Sequence, residues 1–252
     1  NHKGGVGKTT TTVSLGGLLS SQGFRTLLID IDPHGSLTSY FGYNPDFIKY
    51  SVYNLFGDKN ALISAQIAKT KYDRLSIIGA SSALLTLDKQ LGIEGGKGLV
   101  LSKSLSQLTG QYDYVLIDCP PMLGILMVNA LAACHRLLIP VQTEYLALRG
   151  LQRMLHTLAM ITRARKQDIP HLLIPTFFDG RTRSSHTALA YLNENYPDIT
   201  SELVIPIDTK FREASQQGAP ISMHAPYSRG CSAYNALLGK IQAHSSHVPL
   251  TS

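Results

Sequence analysis

Four stretches of this chain are apolar almost without interruption: FRTLLIDID (24–32), YDYVLIDCP (112–120), RLLIPV (136–141) and HLLIPTFF (171–178). A strand with one wet face alternates apolar and polar residues, whereas continuous runs suit strands covered on both faces in a parallel sheet. Helical patterns separate the runs, over 8–21, over MLGILMVNALAAC (122–134), from about Tyr145 to Lys166, and near 184–195. A short strand LVIP (203–206) and a last helix near 230–243 follow. Strands alternating with helices require crossover connections, so the expected architecture is α/β, a mostly parallel twisted sheet with helices on both faces. Between Gly42 and Gly98 the pattern weakens to short helices around 60–69 and 81–91, a strand LSIIGA (75–80) and the glycine-rich GIEGGKG. That region reads as peripheral to a single domain spanning 1–243, and the tail 244–252, HSSHVPLTS, reads as disordered.

A chain of 252 residues with 44% hydrophobic content can bury one sizeable core. No run approaches the roughly 18 apolar residues of a membrane span, and nothing resembles a signal peptide, so the expectation is a soluble, cytoplasmic protein. Cys119, Cys134 and Cys231 are far apart and form no C-x-x-C pair, which argues against a disulfide framework and against zinc or cluster ligation. The net charge of +6 favours anionic partners, nucleotide or DNA, without choosing between them.

The chain opens NHKGGVGKTTTT. Gly4, Gly5 and Gly7 lack the Cβ atoms that would keep a backbone from wrapping a phosphate, and Val6 and Thr10 complete the segment. Consecutive N–H groups and the N-terminus of the following helix can then face the anion. Lys8 supplies a full charge to the β and γ phosphates, and the Thr9 hydroxyl suits a magnesium ion. This is a phosphate loop, which makes the fold a single-domain P-loop NTPase. Such a loop normally follows a strand. Asn1 already stands in the loop, so that strand is expected before residue 1. Asp30 and Asp32 end one apolar run and Asp118 ends another, where open parallel sheets place ligand-binding groups. Thr9 directly and Asp118 through water suffice for Mg²⁺. Capping or loop hydrogen bonding accounts for Asp30 as well as metal contact does.

Residues 3–10, KGGVGKTT, form a deviant Walker A motif, and through it the chain resembles the ParA/MinD family of dimerising ATPases. Segments 120–151, 178–182 (FDGRT) and 205–214 (IPIDTKFREA) extend the likeness over nearly the whole chain, toward the Soj-like partition branch. The resemblance implies an ATP/ADP and Mg²⁺ site and a slow, partner-stimulated ATPase. In it Lys3 reaches the phosphates of a second copy across an ATP-dependent homodimer, as a cation delivered in trans. It implies that Asp32, in D-x-D-P, positions the attacking water, that Asp30 lies near the metal, and that adenine sits between Phe177 and Pro206. The residue after D-x-D-P is commonly glutamine in the family and is His34 here, which is left outside the catalytic set.

Partition proteins of this branch bind DNA non-specifically, and the candidates here are Arg163, Arg165, Lys166, Arg181, Arg183, Lys210, Arg212 and Arg229. Solvated surface charge accounts for them equally well, because the helix 187–198 is acidic. Segments 32–43, 206–215 and 227–230 look like the ParC group, which positions chemotaxis arrays at a cell pole through an adaptor and a polar landmark protein. Polar array positioning is therefore the preferred cargo, with location at a pole or on the nucleoid, and chromosome or plasmid partition the close alternative. The end GKIQAHSSHVPLTS lacks the basic amphipathic helix of membrane-binding relatives, so no stable membrane anchor is expected. An ATP-dependent ligase of the dethiobiotin synthetase type is the rival from a different class.

Overall fold

The computed structural model describes residues 5–58, 60–94, 97–121, 124–165 and 168–245. The chain runs α1 (Lys8–Ser21), β1 (Thr26–Asp30), α2 (Ser36–Tyr40), α3 (Val52–Gly57), β2 (Ala68–Lys69), β3 (Leu75–Ile78), α4 (Leu84–Glu94), α5 (Val100–Ser106), β4 (Tyr114–Asp118) and α6 (Ile125–Ala133). It continues with β5 (Leu137–Gln142), α7 (Tyr145–Arg165), β6 (His171–Thr176), α8 (Arg183–Asn195), α9 (Lys210–Gln216), α10 (Ile221–His224) and α11 (Arg229–Ser245). Two single-turn 3₁₀ segments, Ile63–Gln66 and Pro197–Ile199, lie in the connections.

The strands form two hydrogen-bonded sets, β2-β3-β1-β4 and β5-β6. All pairings are parallel except β2 with β3. Strand β1 is buried along its whole length because β3 and β4 flank it and helices cover its faces, which is why TLLID is apolar up to its final aspartate. The parallel register sets Asp30 beside Asp118 at the carboxyl ends of β1 and β4. Helix α1 carries Val13 against Leu28 on one side, and Leu15, Leu18 and Leu19 against Tyr234, Leu237 and Leu238 of α11 on the other. Each such leucine contributes roughly 1.5–3 kcal/mol by leaving water. The buried pair of hydroxyls Thr11 Oγ1 and Tyr234 OH, 2.8 Å apart, fixes the helices in rotation.

Three expectations change. The region from 42 to 98 is not peripheral, because β3 is an inner strand paired to β1. LVIP is not a strand: the Ile205 amide donates to the Pro175 carbonyl and the Ile205 carbonyl accepts from the Phe178 amide, but the extra residue between them, Phe177 at φ 53°, breaks the parallel register and leaves an isolated bridge from Phe178 to Pro206. The helix expected around 60–69 is one 3₁₀ turn followed by β2. Helix α11 takes in the first two residues of the expected tail, and 246–252 lie outside the described residues, as does the strand expected before residue 1. Among the described residues no helix is long and apolar enough to cross a membrane.

Candidate nucleotide site

Helix α1 begins without a side-chain cap and with no acidic residue in its first turn, so its free N–H groups face the loop before it. Gly7 precedes it at φ 95°, a left-handed conformation that a side chain would strain, and Gly5 stands at φ 79°. The buried Val6 anchors the loop, its carbonyl accepting from Thr176 Oγ1 at 2.9 Å at the end of β6. Lys8, Thr9 and Thr10 occupy the first turn of α1. Lys3 and Gly4 lie outside the described residues.

Thr9 Oγ1 donates to Asp118 Oδ2 at 2.6 Å, joining the helix start to the end of β4. The other oxygen, Asp118 Oδ1, is buried with no partner. Burial pushes the Asp118 carboxyl well up from its ordinary range, and the neighbouring Asp30 carboxylate adds to the rise, while Thr9 and Lys8 oppose it. A buried acceptor without a donor, next to a hydroxyl and near a cation, is what a hydrated magnesium ion would complete. The residues present therefore fit the ion, which Thr9 and Asp118 would hold.

Asp30, open on sequence to loop hydrogen bonding or to metal contact, is engaged by the loop. Its Oδ2 accepts from the Thr38 amide at 2.8 Å and hydroxyl at 2.7 Å, and its Oδ1 accepts from the Asp32 amide at 3.1 Å. Thr38 Oγ1 in turn accepts from the Ala80 amide at 2.7 Å. With three protein donors on it, Asp30 shapes the β1–α2 loop and ties it to the end of β3. Thr38 is the residue that decides this, and no motif marks it. Burial raises the Asp30 carboxyl as well, against the opposing bonds from Thr38 and Asp32. Asp32 is nearly buried, and its Oδ1 accepts from the backbone N–H and the ring Nδ1 of His34 at 3.0 and 2.8 Å.

A cavity of roughly 540 Å³ opens at the far end, lined by Phe178, Asp179, Gly180, Arg181, Pro206, Ile207, Asp208, Thr209 and Arg229. Pro206 is on its wall. Phe177 instead adopts φ 53°, rare for a residue with a side chain, and its ring lies 3.6 Å from where a Cβ on Gly7 would stand. Strain of this kind, of order 1–3 kcal/mol, persists where the surroundings demand it. Of the basic residues singled out, Arg163, Arg183, Arg212 and Arg229 are exposed. Arg181 is held by both oxygens of Asp179, and Lys210 pairs with Glu213 at 2.7 Å. Lys166 lies outside the described residues. Among the described residues no His, Cys, Asp and Glu cluster forms a metal cage.

A family model described as an AAA domain matches residues 1–171. The sporulation initiation inhibitor protein Soj of Bacillus subtilis (strain 168) is 36% identical over 97% of this chain and 96% of its own. The chromosome partitioning protein ParA of Myxococcus xanthus (strain DK1622) is 35% identical over 94% of this chain and 84% of its own. Among solved structures, cobyrinic acid a,c-diamide synthase from Mycobacterium smegmatis, with an ATP analogue and magnesium bound, superposes with a TM-score of 0.85. It shares 31% identity with this chain, covering 98% of this chain and 93% of that one. With a deviant Walker A loop on α1, an aspartate pair at the ends of β1 and β4, and likeness to Soj and ParA along almost its full length, the chain belongs to the ParA/MinD family of ATPases.

Proposed function

We propose that this protein is an ATP-driven dimerisation switch that positions a large cellular cargo. The observation that carries the reading is the Thr9–Asp118 contact at the uncapped start of α1, with Asp118 Oδ1 buried and unpartnered. In this reading the loop 4–10 wraps the triphosphate, Lys8 offsets its charge, and Thr9 and Asp118 hold the magnesium ion. Magnesium, when bound, neutralises charge on the phosphates and orients them for in-line attack. Asp32 holds the attacking water through its outer carboxylate oxygen. The cavity beside Pro206 takes the base, with Phe177 between base and loop. Lys3 completes the phosphate pocket of a second copy, so ATP binds the dimer better than the monomer, and hydrolysis by a slow, partner-stimulated step removes that difference.

Three of the relatives carry names that state chromosome partitioning, which favours a chromosome or plasmid as cargo, with non-specific DNA as the surface along which the dimer is distributed. Polar positioning of chemotaxis arrays through an adaptor and a landmark protein is the second reading, supported by segments 32–43, 206–215 and 227–230. The name of the M. smegmatis neighbour keeps a ligase in view. A ligase would form product in proportion to a small acid substrate and show no ATP-linked change in mass.

Light scattering after size exclusion tests the switch. Wild type should double its mass in Mg-ATP and not in Mg-ADP. Lys8→Ala should bind no nucleotide, Lys3→Ala should bind ATP yet dimerise poorly, and Asp32→Ala should remain dimeric because it cannot hydrolyse. An Asp32→Ala protein that binds ATP normally and stays monomeric would overturn the cycle.

A further inference from the structure

We infer that His34 is a positioning residue for the hydrolytic step, holding the Asp32 carboxylate in the orientation that turns its second oxygen toward the water. The inference rests on the role given to Asp32 above. His34 lies in the β1–α2 loop, where the Gly35 amide donates to the Asp32 carbonyl at 2.9 Å and closes a turn. Within that turn two donors from one residue converge on a single oxygen: the His34 backbone N–H and ring Nδ1 both meet Asp32 Oδ1, at 3.0 and 2.8 Å. A carboxylate can only accept, so Nδ1 carries the proton in this contact. Two donors on one oxygen fix the rotation of the carboxylate plane, and among the described residues Oδ2 has no partner.

Structural support from this ring is small, since the His34 side chain is 74% exposed against 10% for Asp32. An exposed imidazole hydrogen-bonded to a nearly buried carboxylate contributes to the direction of that carboxylate more than to packing. From the other side the Asp32 amide donates to Asp30 Oδ1 at 3.1 Å, so the loop backbone is held independently of the ring. The ring is thus an orienting group whose removal leaves the loop standing. A neighbouring donor of this kind is worth about tenfold to a positioned functional group.

Steady-state ATP hydrolysis of three variants tests this in the full chain with Mg-ATP. His34→Phe keeps the ring and removes the donor, and should lower kcat about tenfold while the KM for ATP stays within about twofold. His34→Asn places an amide N–H where Nδ1 stood, and should recover most of the loss. In an Asp32→Asn background, followed in single turnovers, His34→Phe should change nothing further, because it acts only through the carboxylate. His34→Phe with wild-type kcat, His34→Asn as impaired as His34→Phe, or a full additional loss on Asp32→Asn would each overturn the inference. Failure of the underlying role shows itself separately, as an Asp32→Asn protein that hydrolyses ATP at the wild-type rate.

Discussion

Asp118 carries the clearest conflict in the molecule. It is 2% exposed, one oxygen has no donor, and the field of Asp30 opposes its ionisation. Burial and that field push its carboxyl up to about 7 in the folded chain, from the ordinary range near 4. A group that binds its proton more tightly when folded stabilises the fold at low pH. That contribution is lost as pH rises from about 4 through about 7. Without magnesium or nucleotide, Asp118→Asn should therefore gain on wild type as pH rises. Scanning calorimetry in a chelator should find its Tm above wild type by about 2–4 °C at pH 8, the shift that 1 kcal/mol brings in a chain this size, and the gain should shrink at pH 5. The same substitution should abolish Mg-dependent turnover, since the ion loses its carboxylate. The pairing of Asp118 with a nucleotide loop was legible from YVLID and GKTT alone. That Asp30 is taken up by Thr38, and Asp32 by His34, was not, because both depend on how one five-residue loop turns back on itself.

At the scale of elements, α1 serves two purposes that pull on its composition. Its N-terminus must stay uncapped for an anion, so its stability has to come from packing, and the helix approaches its neighbours closely enough to exclude a methyl group. A Cβ on Gly17 would lie 2.2 Å from Pro220 Cβ and 2.9 Å from Ser222 Oγ, at the crossing with α10. Gly17→Ala should cost about 1–3 kcal/mol through overpacking, more than the roughly 0.8–1 kcal/mol that alanine adds to a helix. Gly239 in α11 is the control: it is exposed, and an added Cβ meets nothing within 4 Å. Gly239→Ala should stabilise by about 0.5–1 kcal/mol, and urea denaturation of the two variants should move the midpoint in opposite directions. The sequence made α1, α7, α8 and α11 readable because 13 to 21 residues display the helical period several times over. Helices α2, α3, α5, α9 and α10, at 4 to 7 residues, are too short to show it. LVIP has the composition of a strand, but the extra residue Phe177 beside it breaks the register of the ladder it would join.

For the whole molecule, the net charge of +6 says that polyanions are attracted, but where the charges sit decides what they can do. Arg181 and Lys210 look on paper like phosphate contacts, yet each already faces a carboxylate. The charge of an arginine held by both oxygens of Asp179 is already offset by that carboxylate, so its net contribution to binding is small. Arg183 and Arg212, like Arg163 and Arg229, are exposed with no ion pair among the described residues, and they are among the groups free to displace counterions. If the ATP-bound form distributes itself on DNA, each phosphate contact contributes about 0.9 to the slope of log K against log salt concentration. Arg183→Ala and Arg212→Ala should each flatten that slope by about 0.9 and weaken binding equally on unrelated sequences, while Arg181→Ala should leave it nearly unchanged. Fluorescence anisotropy with random duplex DNA, in Mg-ATP and across a salt series, separates these outcomes. A flat response from all three, in protein that still dimerises with ATP, would move the cargo away from DNA and toward a protein array, because the same switch would then have to read its position from an adaptor instead of from phosphate charge.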